Sequence, residues 1–217
     1  MSTSMRQFLS LFLVAILVGC ASAPAQDPED AYTAMEQRLL SASSVSFDFQ
    51  VTAEGVIQGS FSGNASVSSD GALTIRSEGI FIERDLVMEL VTDADSVRMN
   101  TSEMSDVVER PADTFNAVVV GLTRMGLMHN LAALSTVSPP DHGDGGILEW
   151  VTVSNFETGE VGEYSGVAFD VFVEGDRTSG VVLAIVDGLP VERRQVVPFP
   201  GDQMVVTEKY SNFVVAN

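Results

Sequence analysis

The chain has 217 residues and a formal net charge of −19, and 45% of its residues are hydrophobic while 19% are charged. This length suits one domain, and the composition is that of a globular protein. Only 11 Lys and Arg stand against 30 Asp and Glu, which excludes nucleic acid as a partner because phosphate binding needs clustered basic residues. Adaptation to a salt-rich medium and an acidic functional surface explain the charge equally well.

The first 19 residues have the pattern of an export signal. Arg6 is their only charged residue, and the apolar run at 8–18 is shorter than the about 20 residues that a membrane-spanning helix needs. The run ends in Leu17-Val18-Gly19-Cys20, which resembles the bacterial lipobox. An ordinary secretory signal in which Cys20 is incidental is the alternative.

The lipobox resemblance implies a location in the cell and a lipid anchor. Residues 1–19 would be a lipoprotein signal peptide that is removed, and residues 20–30 would be the lipidated Cys20 and its tether. Removing Arg6 takes the net charge from −19 to −20. Ala21, rather than Asp, follows the cysteine, so we expect attachment at the periplasmic face of the outer membrane.

A helix and an alternating strand open the predicted domain, residues 31–217. Asp27-Pro28 predicts a helix start, because Asp caps free N–H groups and Pro suits the first helical position. Strict alternation of apolar and polar residues from Val45 to Glu54 predicts a strand with one buried face. Further short strands continue to Met99 and predict an antiparallel meander.

The pattern changes to helical spacing at Asp113. Residues 115–137 are apolar on nearly all sides, which predicts two buried helices separated at Gly126. Residues 139–146 are predicted to form a loop. Strands are then predicted at Leu148–Asn155, Gly166–Glu174, Val181–Val186, Leu189–Val197 and Gln203–Val215.

These elements predict an α+β fold. One curved antiparallel β-sheet of about 10–11 strands would form a half-barrel, with about three helices on its concave face. No repeat or linker divides the domain.

The chain also resembles the LolA/LolB-like superfamily of lipoprotein-localisation factors over residues 31–215. The similar segments are SVSFDFQVTAEG, the meander from Gly71 to Asn100, and the closing strands from Val181 to Val215. The resemblance implies a half-barrel whose hydrophobic cavity holds acyl chains under the helices.

The inward faces and the central helices are rich in large, flexible apolar side chains. Methionine adapts to irregular apolar shapes, so a ligand cavity is one interpretation and an ordinary filled core is the other. The residues expected to line a cavity are Phe47, Phe49, Val51, Phe61, Ile82, Met88, Phe115, Val119, Leu122, Met125, Met128 and Phe169.

We find no catalytic or metal-binding pattern in the sequence. The two histidines stand apart, and His129 among apolar residues is typical of a core position. Asp141-His142-Gly143-Asp144 has side chains that can bind metal, but turn chemistry explains it equally well. We therefore expect a protein that is not an enzyme and that holds no cofactor or metal.

The sequence leads to a functional prediction with two rivals. We expect a monomeric outer-membrane lipoprotein, anchored through Cys20, that binds a lipid or lipoprotein acyl chains and serves in their transport. A structural or assembly module of a cell-envelope complex, using the acidic surface, is the alternative. A hydrolase without a recognisable motif is the third.

Overall fold

A computed structural model describes residues 26–93, 95–101, 105–110, 113–129 and 145–217. The predicted signal peptide, Cys20 and the loop containing His142 lie outside these residues. Within the described ranges, no helix is both long enough and apolar enough to cross a membrane.

Helix α1 begins where the sequence predicts it and covers Pro28–Leu40. The Asp27 carboxylate accepts a hydrogen bond from the backbone N–H of Glu29, which satisfies a donor that the first helical turn leaves free. The buried side chains of α1 are Tyr32, Met35 and Leu39.

Six strands and a helical region follow α1. The strands are β1 (Ser44–Gly55), β2 (Gly59–Ser68), β3 (Leu73–Phe81), β4 (Arg84–Thr92), β5 (Ser96–Thr101) and β6 (Ser105–Glu109). The helical region contains α2 (Thr114–Val120), a π-helical turn (Gly121–Met125) and α3 (Gly146–Trp150). Four helical segments are thus bounded in the described chain, where about three were predicted.

Five strands complete the fold. They are β7 (Val151–Val161), β8 (Tyr164–Val173), β9 (Asp176–Val186), β10 (Leu189–Phe199) and β11 (Asp202–Ala216). The eleven strands form an open sheet in the order β6-β5-β4-β3-β2-β1-β11-β10-β9-β8-β7. The pairings are antiparallel throughout. In this order the first and last strands, β1 and β11, are neighbours in the middle of the sheet. This agrees with the predicted half-barrel class and strand number.

The alternation in β1 produces the predicted buried face. Val45, Phe47, Phe49, Val51 and Ala53 are buried, and the polar residues between them point to the other face. The concave face of the sheet and the helices share one apolar core. Helix α1 packs against β7, β8 and β9, while α2 packs against α1, α3 and β2.

The predicted strand at Leu148–Asn155 is wrong in its bounds. Leu148 belongs to α3, the strand starts at Val151, and it continues to Val161. Asn155 has a φ of +62°, and the pairing with β8 shifts register between Ser154 and Glu157. This bulge interrupts the two-residue alternation, which is why the sequence pattern ended too early.

Candidate functional site

The concave face contains a small apolar pocket beside the π-helical turn. Its volume is about 170 Å³. It is lined by Met125, His129, Val171, Val173, Thr178, Ser179, Gln195 and Val197. Strands β8, β9 and β10 therefore supply most of its wall, and the helical region supplies the rest.

Gly126 separates the π-helical turn from the helical residues 127–129. Its φ is +92°, a conformation that favours glycine. A Cβ atom at this position would lie 2.8 Å from Oε1 of Gln195 and 3.3 Å from Oε1 of Glu208. Gly126 therefore permits both the break between the two helical segments and a close approach to the sheet.

Two buried charges hold the chain on either side of Gly126. Arg193 on β10 donates to the carbonyl oxygens of Thr123 (3.2 Å) and Arg124. Glu208 on β11 accepts from the backbone N–H groups of Leu127 (3.0 Å) and Met128 (2.9 Å). The arginine thus satisfies carbonyls at the end of one helical segment, and the carboxylate satisfies N–H groups at the start of the next.

Arg193 and Glu208 are also neighbours in the sheet and form what we call the buried charge pair. They are paired in register across β10 and β11, and both are 0% exposed. Nε of Arg193 lies 3.9 Å from a carboxylate oxygen of Glu208. Tyr210 donates its hydroxyl to the same carboxylate, and burial raises the pKa of Tyr210 well above its usual value. Glu208 therefore has several partners besides Arg193.

A polar edge of the pocket adjoins the buried charge pair. Arg193 donates to Oε1 of Gln195 (3.2 Å), and the Gln195 amide donates to the Ser179 hydroxyl (2.7 Å). Nδ1 of His129 is buried and has no hydrogen-bond partner among the described residues. Burial lowers the pKa of His129. The Glu208 carboxylate acts to raise that pKa, whereas the positive charge of Arg193 lowers it further, so the imidazole is neutral at pH 7. An apolar pocket with a few polar groups is the usual form of a small-molecule site.

A second polar cluster fixes the π-helical turn to α1. Arg124 forms a two-pronged ion pair with Glu36, with both N–O distances 2.8 Å, and it donates to the carbonyls of Leu148 and Val151. Burial acts to raise the pKa of Glu36, but the hydrogen bonds and the positive charge of Arg124, together with hydrogen bonds from Thr123 and Tyr32, outweigh it and hold that pKa below its usual value. Burial raises the pKa of Tyr32, which donates to Glu36. The turn is therefore tied to α1 and to the start of β7.

The structure places the predicted cavity residues in three kinds of environment. Met125 lines the pocket, and Met128 packs against the core beside it. The buried core contains Phe47, Phe49, Val51, Phe61, Met88, Phe115, Val119, Leu122 and Phe169. Ile82 is 57% exposed in the turn between β3 and β4, so its prediction as a cavity residue is wrong. The β3 alternation ends before it, where the turn takes its side chain away from the core.

The polar part of the site, formed by Arg193, Gln195 and Glu208, is not among the residues predicted from the sequence. The position of Glu208 nevertheless carries a usable signal. Glu208 follows Met204 and Val206 at two-residue spacing, in phase with the apolar face of β11. A charged residue in phase with a buried face must have buried partners.

No protein-family model and no curated protein matches the chain. Among solved structures, the Pseudomonas aeruginosa MucA/MucB complex matches with 16% identity and a TM-score of 0.41, over 87% of this chain and 58% of that chain. LprF from Mycobacterium bovis matches with 14% identity and a TM-score of 0.39, over 88% and 99% of the two chains. A LolA superfamily protein from Nitrosomonas europaea matches with 9% identity and a TM-score of 0.30, over 89% and 95%.

The chain thus spans less than two thirds of the MucB chain it matches. The assignment of an antiparallel half-barrel rests on this chain's own strand order and register.

Proposed function

We propose that this chain is a non-enzymatic lipoprotein of the bacterial cell envelope that binds a lipid or lipoprotein acyl chains on the concave face of its half-barrel. Cys20 would carry the anchoring lipid, with the domain at the periplasmic face of the outer membrane. The observation that carries the proposal is the apolar pocket of about 170 Å³ beside the break between helical segments at Gly126. Burial of apolar surface, at about 25 cal/mol per Å², would supply the binding free energy.

The pocket size sets a condition on binding. Small-molecule sites usually enclose about 300–1,000 Å³, and the pocket has about 170 Å³. An acyl chain therefore needs additional space. Met125 and the helical residues 127–129 are the pocket's neighbours on the helical side, and Gly126 lies between them. We infer that displacement of this segment from the sheet admits the ligand, which requires that Leu127 and Met128 give up their hydrogen bonds to Glu208.

Filling the pocket tests the proposal without unfolding the core. Val197→Phe places an aromatic ring in the pocket, while Val196→Phe places the same ring on the opposite face of the same strand. Binding of a dansyl-labelled fatty acid to the mature protein should weaken at least tenfold in the first variant and stay within twofold in the second. Circular dichroism checks that both variants are folded. Equal binding by both variants would contradict the proposal, as would mature protein that takes up no probe.

The acidic-surface alternative also has an observation in its favour. An open groove of about 680 Å³ crosses the outer face of β1–β4, and its lining includes the acidic residues Asp48, Glu78 and Glu89. Charge reversal by Glu78→Lys should reduce recovery of a cross-linked envelope partner and leave fatty-acid uptake unchanged if this groove binds a protein. Unchanged recovery of that partner, together with unchanged fatty-acid uptake, would count against the acidic-surface alternative.

A further inference from the structure

The outer face of strands β7–β10 carries a groove, on the side of the sheet opposite the apolar pocket. Its volume is about 390 Å³, which lies within the about 300–1,000 Å³ that small-molecule sites usually enclose. Backbone pairing places four of its lining residues in one row across the four strands, in the order Glu157, Ala168, Val182 and Arg194. The row therefore has an acidic end, an apolar middle and a basic end.

The two charged ends of this row lack partners. Glu157 and Arg194 are exposed, and neither forms a hydrogen bond or an ion pair with another of the described residues. By contrast, Arg76, Arg124 and Arg177 each form an ion pair with a carboxylate. A guanidinium group presents its N–H donors in a planar fork that fits a carboxylate. Arg194 is therefore available to bind a carboxylate that a ligand supplies.

A second arginine in the groove is held in place by the sheet. Arg177 donates to Asp170 (2.6 Å), which also accepts from the Asn155 amide (2.9 Å), and these hydrogen bonds lower the pKa of Asp170. Gly180 leaves room for the arginine, since a Cβ there would lie 3.3 Å from Nη2 of Arg177.

The charges that line the groove balance. Two carboxylates, of Glu157 and Asp170, stand against two guanidinium groups, of Arg177 and Arg194. A groove without net charge favours a ligand with one charge of each sign over a multiply charged anion such as phosphate.

The distance between the charged ends sets the length of the ligand. Glu157 and Arg194 lie on strands separated by three spacings of about 4.8 Å, which is about 14 Å. Both side chains line the groove and so narrow that gap. An extended peptide spans about 3.3–3.6 Å per residue, so three residues cover about 10 Å. A tripeptide with free ends thus reaches from one charged group to the other.

We propose that this groove binds a short peptide with free amino and carboxyl ends. The Arg194 guanidinium donates to the peptide carboxylate, and the Glu157 carboxylate accepts from the peptide ammonium group. Ala168 and Val182 contact the apolar side chain between them. The groove lies on the opposite face from the acyl-chain pocket, so this ligand is additional to the proposed function and does not depend on it.

Isothermal titration calorimetry of the mature protein tests the basic end, with tri-alanine as the probe. The free tripeptide should bind, and amidation of its carboxyl end should weaken binding at least tenfold. Arg194→Gln should weaken binding of the free tripeptide at least tenfold and should bind the free and amidated forms alike. Arg98→Gln is the matched control, because Arg98 is an exposed arginine on β5 outside the groove, and it should bind like the wild type.

The acidic end is tested by a second pair of probes. Acetylation of the amino end of tri-alanine should weaken binding at least fivefold, and Glu157→Gln should bind the free and acetylated forms alike. Glu109→Gln, at an exposed position on β6, is the control for the lost negative charge. Full binding of the acetylated peptide, with amidation still harmful, would overturn the proposal of a free-ended peptide and would indicate the carboxyl end of a longer chain.

Aromatic substitutions on the two faces of β10 locate the site. Val196→Phe fills the groove, and Val197→Phe fills the apolar pocket. Peptide binding should be lost in the first variant and stay within twofold of wild type in the second, the reverse of the pattern expected for the fatty acid. Loss of fatty-acid uptake with normal peptide binding would contradict the acyl-chain function alone.

Circular dichroism and urea midpoints check that every variant is folded. Three results would overturn the peptide proposal: no binding of tri-alanine by the wild type, equal binding of its free and amidated forms by the wild type, or wild-type affinity in Arg194→Gln.

Discussion

Replacing Glu208 by leucine should destabilise the protein strongly. The substitution leaves Arg193 buried without its charge partner and removes the acceptor for the N–H groups of Leu127 and Met128. Removing one member of a buried ion pair costs about 3–5 kcal/mol. For a chain of this size, 1 kcal/mol corresponds to about 2–4 °C, so the Tm should fall by roughly 6–20 °C.

Urea unfolding followed by circular dichroism measures this change, provided that the m-value is unchanged. Hydrogen exchange adds a local readout, since the amides of Leu127 and Met128 should exchange faster in the variant. A loss below about 1 kcal/mol, or unchanged protection of both amides, would refute the role assigned to Glu208.

Two further variants separate the ion pair from the helix contacts. Glu208→Gln keeps the shape and one carbonyl acceptor, so it should cost less than Glu208→Leu. Arg193→Met combined with Glu208→Leu removes both charges. Because each side chain also satisfies backbone groups beside Gly126, the double variant should remain well below the wild type in stability. Full recovery in the double variant would show that the two residues serve mainly each other.

Three other predictions concern the same region. Gly126→Ala should lower the free energy of unfolding by about 1–3 kcal/mol in urea, because the new Cβ would press on Gln195 and the backbone φ of +92° disfavours alanine. Gly201→Ala is the control and should cost less, since an added Cβ there meets nothing within 4 Å. Glu36→Gln should be less stable than wild type at pH 7, and this difference in stability should vanish in acid. The reason is that the pKa of Glu36 is lowered in the folded state. The contribution of the ionised carboxylate to stability is therefore full above the unfolded pKa of about 4.3 and is lost as pH falls through the folded pKa. An equal difference at pH 7 and pH 3 would contradict this. The wild type should lose stability as pH falls below about 6.5, because the pKa of His129 is lowered in the folded state and only the unfolded chain binds the proton there. His129→Asn should abolish this loss. Urea midpoints at pH 7.5 and 5.5 measure the loss, and the same loss in the variant would refute the prediction.

The sheet was largely predictable because its signals are local. The alternation at Val45–Ala53 follows from burial of one face, and Asp187-Gly188 adopts positive φ at both positions, as a tight hairpin requires. Asp27 and Pro28 begin α1 as predicted. In each case neighbouring residues determine the conformation, so a single sequence contains the information.

The candidate site was less predictable because it depends on distant residues. Arg193 bonds to Thr123, which is 70 positions away in the sequence, and Glu208 bonds to Leu127, which is 81 positions away. The apolar spacing indicated a break at Gly126 but not the charges that stabilise it. The exposure of Ile82 also depends on the turn geometry, which its apolar neighbours in β3 did not indicate.

The meeting of the first and last strands has a consequence for how the chain can fold. Strands β1–β6 form one meander and β7–β11 form another, and in each every pairing joins strands adjacent in sequence. Among the described residues, the pairing of β1 with β11 is the only strand pairing that joins the two meanders. It closes a loop of nearly the whole domain, so it cannot form before the last strand is available. Until then, β1 with 12 residues and β10 with 11 residues each have an unpaired edge. A chain cut after β10 would keep both edges open, and such edges invite aggregation. Strand β11 therefore covers both of these edges, and its loss should make the domain prone to aggregation.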